Sequence, residues 1–372
     1  MAQVTSILPL QAPTDVSVSQ VEQELSKIWQ SYGENAAARA TTFNLIIYEP
    51  NSAKGDRLVP VDVIASQSPC RVLDLVAQPG ADEGISAQVA AYCPIQKSRS
   101  TLVCGEYITL KGSIEAFNRL PALISELILP NMPVFLWWAD SPRPGSEIFS
   151  RLTKLSDRLI VDSSLFINTT KDLLQIKAMI DQGVQIADLN WRRLAPWQEL
   201  SAQAFDPPDR RAAVWEIDGI TIDYEKGNNT QALMFLGWLA SRLSWQPQAV
   251  LNKGGDYEIC EYTFTGRDQN LIKAELAAIP TATGGSVMGD MLGLRLSSSK
   301  GNMDACNVFC SESTGCMRME ASGGAQNYRI HQVTPLADQG ADTLLSQQLQ
   351  RWGQEVLFEE SLALTAQILS LT

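Results

Sequence analysis

The stretch Leu129-Pro-Asn-Met-Pro-Val-Phe-Leu-Trp-Trp-Ala-Asp-Ser-Pro-Arg-Pro-Gly145 decides the fold. Its apolar run, Val134 to Trp138, is bounded by prolines and ends in two consecutive tryptophans. A run of this length reads as a strand, and with no polar residue in it the strand is buried on both faces. Neighbouring tryptophans on a strand point to opposite faces of the sheet. Strands covered on both sides belong to parallel sheets with helices above and below. Ligands of such sheets bind beyond the strand C-termini. Trp137, Trp138, Asp140 and Arg143 are therefore candidates for an interface or ligand surface, with a core strand and a stiff turn as the plain alternative.

The same alternation extends in both directions. Thr41 to Tyr48, Cys70 to Ala77, Ser86 to Tyr92, Thr101 to Leu110 and Asp157 to Asp162 read as strands. Ser113 to Leu129 and Gly145 to Leu155 read as helices, as does a segment capped at Thr169 and ending at Gly183 as a left-handed C′ residue. Three successive strands between residues 70 and 110 require an antiparallel portion. Residues 1–40 form an N-terminal segment with one helix, opened by a capping-box pattern at Ser19 and Glu22. Residues 41–186 are expected to form an α/β domain with a mixed, largely parallel sheet flanked by helices.

Residues 187–372 read as a second, α+β domain. It holds a helix ending near Phe205, a hairpin from Ala212 to Tyr224 turning at Asp218-Gly219, and an apolar helix from Asn229 to Trp245. Strands follow at Tyr257 to Phe264 and Gly293 to Ser297, then a polar loop over 297–324. A long helix or a helix pair closes the chain from Leu344 to Leu371.

Composition narrows the chemistry. The chain has 372 residues, and 29 basic against 41 acidic side chains give 29 − 41 = −12. Phosphate neutralisation needs clustered Lys and Arg, so nucleic acid is not an expected partner, nor is an anionic membrane surface. Residues 120–139 are long enough to span a bilayer, but Glu126, Asn131 and three prolines argue against a membrane helix. With no signal peptide in Met1 to Pro13, the expectation is a soluble, cytoplasmic chain. One histidine, His331, excludes paired imidazoles and metal sites with two His ligands. Neither a dinucleotide fingerprint, a P-loop nor a G-x-S-x-G elbow is present. No catalytic residue, cofactor or metal is expected.

Weaker constellations remain. Thr283-Gly-Gly-Ser-Val-Met-Gly289 reads as a glycine-rich turn before it reads as an anion cradle. Asp140 and Asp188 are an acidic pair that nothing in their spacing brings together. Trp191, Arg192, Arg193 and Trp197, within Asp188 to Trp197, suit a domain-junction clamp or a site for phosphate or a partner carboxylate. The sharpest signal is Cys306-x3-Cys310-x5-Cys316. Three readings stay open: a zinc site lacking a clear fourth ligand, inert thiols, or a reversible Cys310–Cys316 disulfide. A ring of roughly seven residues contributes only about 2 kcal/mol, which suits a switch better than a staple. Cys70, Cys93, Cys104 and Cys260 lie in apolar strands and read as packed, unreactive thiols.

Three stretches together resemble the OpcA family, the glucose-6-phosphate dehydrogenase assembly proteins of cyanobacteria and actinobacteria. They are Leu129 to Asp140, Asp157-Arg-Leu-Ile-Val-Asp-Ser163 and Asp188-Leu-Asn-Trp-Arg-Arg-Leu-Ala-Pro-Trp-Gln-Glu199. The resemblance covers the chain from about Thr42 onward, and the cysteine tract is similar to the thioredoxin-responsive cyanobacterial branch. It implies a non-catalytic activator that binds glucose-6-phosphate dehydrogenase and promotes its active oligomer in the oxidative pentose phosphate route. Thioredoxin is the implied second partner, and Cys310 and Cys316 match the redox pair. The rival reading is a sugar-phosphate or nucleotide-sugar enzyme with a cleft near Asp140 and Arg192.

Overall fold

A computed structural model describes residues 7–9, 13–39, 41–50, 64, 69–94, 102–119, 121–281, 287–300, 303–311, 316–322, 329–335 and 340–371. The chain divides into two compact units. The first comprises residues 1–162, 182–187 and 341–353; the second comprises 163–181, 188–340 and 354–372. The helix of 169–181 thus joins the second unit, and residues 341–353 return to the first, across the expected boundary near 186.

The first unit is built on β1 (Ile7–Pro9), β2 (Thr14–Val16), β3 (Ala37–Arg39), β4 (Asn44–Pro50), β5 (Arg71–Gln78), β6 (Ser86–Pro94), β7 (Leu102–Ser113), β8 (Val134–Trp138), β9 (Arg158–Val161) and β10 (Ile186–Asp188). They form one sheet in the order β1-β6-β7-β5-β4-β8-β9-β10, with β2 on β6 and β3 on β7. The strands β7, β5, β4, β8 and β9 run parallel, whereas β6 is antiparallel to β7. Within the run β7-β5-β4-β8-β9-β10, numbering strands by chain position gives 3-2-1-4-5-6, the doubly wound order. Leu45, Ile46, Ile47, Leu73, Leu136 and Ile160 are fully buried at its centre, as strands covered on both faces require.

Helices α1 (Val21–Ala36), α2 (Ile114–Arg119), α3 (Pro121–Leu127) and α4 (Glu147–Leu155) also belong to this unit. The single helix expected over 113–129 is two, broken ahead of Pro121, whose missing N–H and ring cannot continue a helix from its interior. A buried ion pair fixes the start of β5 to β7. Arg71 Nε donates to Glu106 Oε2 at 2.7 Å with both side chains out of solvent. Its Nη1 donates to Glu22 Oε1 on α1 at 2.5 Å and to the Leu127 carbonyl at 2.8 Å, and Trp29 Nε1 donates to Glu106 Oε1 at 2.7 Å. The guanidinium therefore ties two helices and two strands together, its charge compensated in place.

The second unit carries α5 (Thr169–Asp181), α6 (Leu189–Arg193), α7 (Ala195–Gln203), α8 (Thr230–Leu243) and α10 (Val356–Leu369), while α9 (Ala341–Gln348) lies in the first. Its sheet has the order β12-β13-β14-β11-β15-β16-β17-β18, from β11 (Gly219–Glu225), β12 (Gln246–Gly254), β13 (Ile259–Thr265), β14 (Leu271–Ile279), β15 (Met291–Ser298), β16 (Met303–Ser311), β17 (Cys316–Ser322) and β18 (Arg329–Pro335). All pairs are antiparallel except β11 with β14. Helix α8 packs on α10 where Gly237 meets Thr365; a Cβ at 237 would stand 2.1 Å from the threonine hydroxyl.

Two sequence expectations need correcting here. Ala212 to Tyr224 is not a hairpin: a 3-10 turn over Ala213–Glu216 precedes β11, which pairs with β14 and β15 instead. The tract 297–324 is not a loop, because β16 and β17 form an antiparallel ladder from Asn307↔Glu320 to Ser311↔Cys316. Cross-strand backbone pairing overrides a Ser-, Asn- and Gly-rich composition there. The chain is thus α/β, with a mixed, largely parallel sheet in one unit and a mostly antiparallel one in the other.

Candidate functional site

The strand order of the first unit reverses between β4 and β8, where doubly wound proteins place their ligand crevice. The C-terminal ends of these two strands carry Tyr48 and Trp138, which are register partners. Their rings stack with centroids 3.9 Å apart and planes 4° apart. Phe149 on α4 closes the other side of Trp138 edge-on, 4.8 Å away. Trp138 Nε1 donates to the Ser141 carbonyl at 3.1 Å, so the indole is locked at both ends. Tyr48 and Trp138 are 4% and 1% exposed, so this is filled space and not a mouth.

The loop after β8 is equally committed. Asp140 accepts from the Ser141 N–H at 2.8 Å and pairs with Arg143 at 2.9 Å. Burial pushes the Tyr48 hydroxyl above its ordinary range, with the Asp140 carboxylate adding to the shift and Arg143 opposing it. Tyr48 is therefore a neutral, packed phenol at neutral pH and not a proton-transfer group.

In the second unit a buried polar network surrounds Asp188. The carboxylate caps α6 by accepting from the Asn190 N–H at 2.9 Å, and takes the Ser163 N–H at 3.0 Å and hydroxyl at 2.6 Å. Asn190 Oδ1 accepts from Gln231 Nε2 at 2.9 Å and from Arg193 at 3.3 Å, and Gln231 Nε2 also reaches Asp290 at 2.6 Å. Asn228 donates to the Ser163 and Ser164 carbonyls. Among the described residues no imidazole stands beside the Ser163–Asp188 pair to act as the base of a nucleophilic serine. The network holds α6 and α8 to the 163–165 turn and serves packing.

The residues nominated from sequence fall into two groups. Trp137, Trp138, Trp191 and Trp197 are core side chains, between 0% and 6% exposed, and Arg193 is buried on Asn190. As surface anchors they are corrected: strand and helix packing claims their rings, Trp191 lying 5.8 Å from Phe358. Asp140 and Arg143 stay at the edge of the filled crevice, with Arg143 exposed, and Arg192 is half-buried on α6. Asp140 and Asp188 are each satisfied within their own unit. Gly289 serves a close approach, since a Cβ there would stand 1.8 Å from the Asn228 carbonyl; residues 283–286 of the glycine tract lie outside the described residues.

The cysteines divide more sharply. Cys70, Cys260 and Cys306 are free thiols. Burial pushes Cys70 and Cys306 up to about 12, Arg210 pulling Cys306 the other way, so neither forms a nucleophilic thiolate near neutrality. Cys104 is disulfide-bonded, which corrects its reading as a packed thiol. The backbone register sets Cys310 opposite Met317 and Cys316 opposite Ser311; the side chains of Cys310, Cys316 and His331 lie outside the described residues. Among the described residues no group of three or more His, Cys, Asp or Glu is arranged to hold a metal, and no helix is long and apolar enough to cross a membrane.

Sequence reasoning did not nominate Tyr48, whose role depends on a strand pairing across 90 residues. The apolar run Leu45 to Tyr48 ending at Pro50 was its only signal.

The family model described as "Glucose-6-phosphate dehydrogenase subunit N-terminal domain" matches residues 61–178, and its "C-terminal domain" counterpart matches 184–362. A protein of Nostoc punctiforme bearing the provisional name of OxPP cycle protein OpcA is 44% identical, with 99% of this chain and 96% of that protein covered. Counterparts from a Synechocystis species and Synechococcus elongatus are 41% and 38% identical, covering 100% and 98% of this chain and 95% and 98% of theirs. The chain belongs to the OpcA family. Among solved structures, the 3-ketoreductase KijD10 from Actinomadura kijaniata is 10% identical at a TM-score of 0.48, covering 90% of this chain and 97% of that one. A likeness of that size transfers no activity.

Proposed function

We propose that the chain is a non-catalytic assembly factor and activator of glucose-6-phosphate dehydrogenase, and that its effect depends on the Cys310–Cys316 redox state. The observation that carries the reading is the stacked Tyr48–Trp138 pair, which fills the crevice where a doubly wound domain would hold a dinucleotide. Family membership supplies the partner, through domain descriptions that refer to that dehydrogenase. The rival, an enzyme working near Asp140 and Arg192, is not favoured. Asp140 and Arg143 neutralise each other.

Activation of this kind is differential affinity. The chain must bind the active dehydrogenase oligomer more tightly than the inactive species, and a tenfold shift requires about 1.4 kcal/mol of preference. Oxidation at Cys310 and Cys316 would order the β16–β17 end before docking and so reduce the cost of binding. The test uses the purified chain alone, then with the dehydrogenase, each after oxidation and after reduction by thioredoxin. No turnover is expected alone. With the partner, activity should rise at subsaturating glucose 6-phosphate, more for the oxidised chain, with a shift to a larger species on gel filtration. Turnover of a sugar phosphate by the chain alone would refute it.

A further inference from the structure

Cys104 is bonded, fully buried and not joined to Cys70, Cys260 or Cys306, which are free. Its partner is one of the remaining three of the seven cysteines: Cys93, Cys310 or Cys316. Strands β6 and β7 pair antiparallel down to Tyr92↔Gly105, and β6 continues to Pro94. Extending this register by one residue would set Cys93 opposite Cys104. Directly opposed residues of an antiparallel pair have Cα atoms about 4.5–5.5 Å apart, inside the range a disulfide spans. Cys310 and Cys316 lie on β16 and β17, in the sheet of the other unit.

We propose that Cys93 and Cys104 form a second redox dithiol in the first unit, independent of Cys310 and Cys316 and of the proposed partner. Cys93 also pairs through its backbone with Leu8 of β1, a three-residue strand beside β6. Cys104 pairs likewise with Arg39 of β3, so the bond joins two flanking strands at one rung. On oxidation the two thiols lose two protons and two electrons as the Sγ–Sγ bond forms. A small-molecule disulfide accepts both and leaves as two thiols. Because Cys104 is 0% exposed, exchange requires local opening first, which makes this pair slow beside an accessible one.

The sequence provides its own assay. Trypsin cuts after Lys97 and Arg99, so Cys93 and Cys104 fall in different peptides that only the bond can hold together. The full chain carrying Cys310→Ser and Cys316→Ser is equilibrated with oxidised or reduced dithiothreitol, alkylated in denaturant and digested. The oxidised sample should yield the linked 93/104 pair and three alkylated cysteines, from 7 − 2 − 2 = 3; the reduced sample should yield five, from 7 − 2 = 5. Cys93→Ser and Cys104→Ser should each abolish the linked peptides and lower the oxidised midpoint of thermal unfolding by about 2–4 °C, a loss absent after reduction. Alkylated Cys104 in the oxidised wild-type sample, or Cys104 linked to any other cysteine, overturns the assignment.

Discussion

Two antiparallel ladders of this protein carry cysteine pairs, and they differ by a single residue of register. At the β6–β7 end, extending the ladder one residue past Tyr92↔Gly105 puts positions 93 and 104 on one rung. At the β16–β17 end Cys310 faces Met317 and Cys316 faces Ser311, so the two cysteines occupy consecutive rungs. Residues on consecutive rungs lie on opposite faces of the sheet, so the backbone register sets the proposed Cys93–Cys104 pair directly opposite each other but not Cys310 and Cys316. If both pairs bond, the first needs no change of register and the second is expected to need a slip of one position.

The buried Arg71–Glu106 pair anchors β7 to β5 two positions from Cys104, and so holds one of the two strands of the first ladder in place. Breaking it is the harshest test of the comparison. Arg71→Ala leaves the Glu106 carboxylate out of solvent without its partner and removes the tie to Glu22, and should cost about 3–5 kcal/mol. The measurement is urea unfolding, with the rate at which Cys104 becomes reducible recorded in parallel. If the register depends on this pair, that rate rises steeply while reduction at Cys310 and Cys316 is unchanged. Equal acceleration at both ends would mean that the ladders are not independently held.

Each ladder has a free, buried thiol close by, Cys70 at the start of β5 and Cys306 within β16, both pushed up to about 12 by burial. These thiols sharpen the comparison through pH. A raised folded-state value contributes stability that is intact below the ordinary thiol range near 9 and is lost as pH rises from there toward 12. In that window the unfolded chain has released the proton and the folded chain has not. Stability should therefore fall by about 1.4 kcal/mol per pH unit for each thiol above pH 9. Cys70→Ala and Cys306→Ala should each remove one share of the slope. A flat profile between pH 9 and 11 would show that neither thiol is as protected as its burial implies.

The two ladders also show why part of this fold was legible in the sequence and part was not. Strands β4, β8 and β9 announce themselves because burial on both faces makes them continuous apolar runs. Strand β14, Leu-Ile-Lys-Ala-Glu-Leu-Ala-Ala-Ile279, is rich in good helix formers, and only pairing with β11 and β13 makes it a strand. The 303–322 hairpin hides for the opposite reason, its turn-forming composition masking a ladder. Site residues followed the same division. Trp138 stood out, but its stacking partner Tyr48 and the Arg71–Glu106 pair depend on contacts across 90 and 35 residues, which no local pattern encodes.

The smallest expected effect tests the register argument itself. The double variant Cys310→Ser, Ser311→Cys moves the thiol one position along β16, onto the rung of Cys316. No slip is then needed, so the bond should form more readily than between the native cysteines by about tenfold, equivalent to a reduction potential about 30 mV more negative. Equilibration in dithiothreitol redox buffers reads this directly. The same variant, oxidised, should activate the dehydrogenase as well as the oxidised wild type, because closing the ring orders the β16–β17 end in either case. A variant that oxidises no more readily would overturn the register argument, and one that oxidises but fails to activate would mean that ordering by ring closure is not the signal.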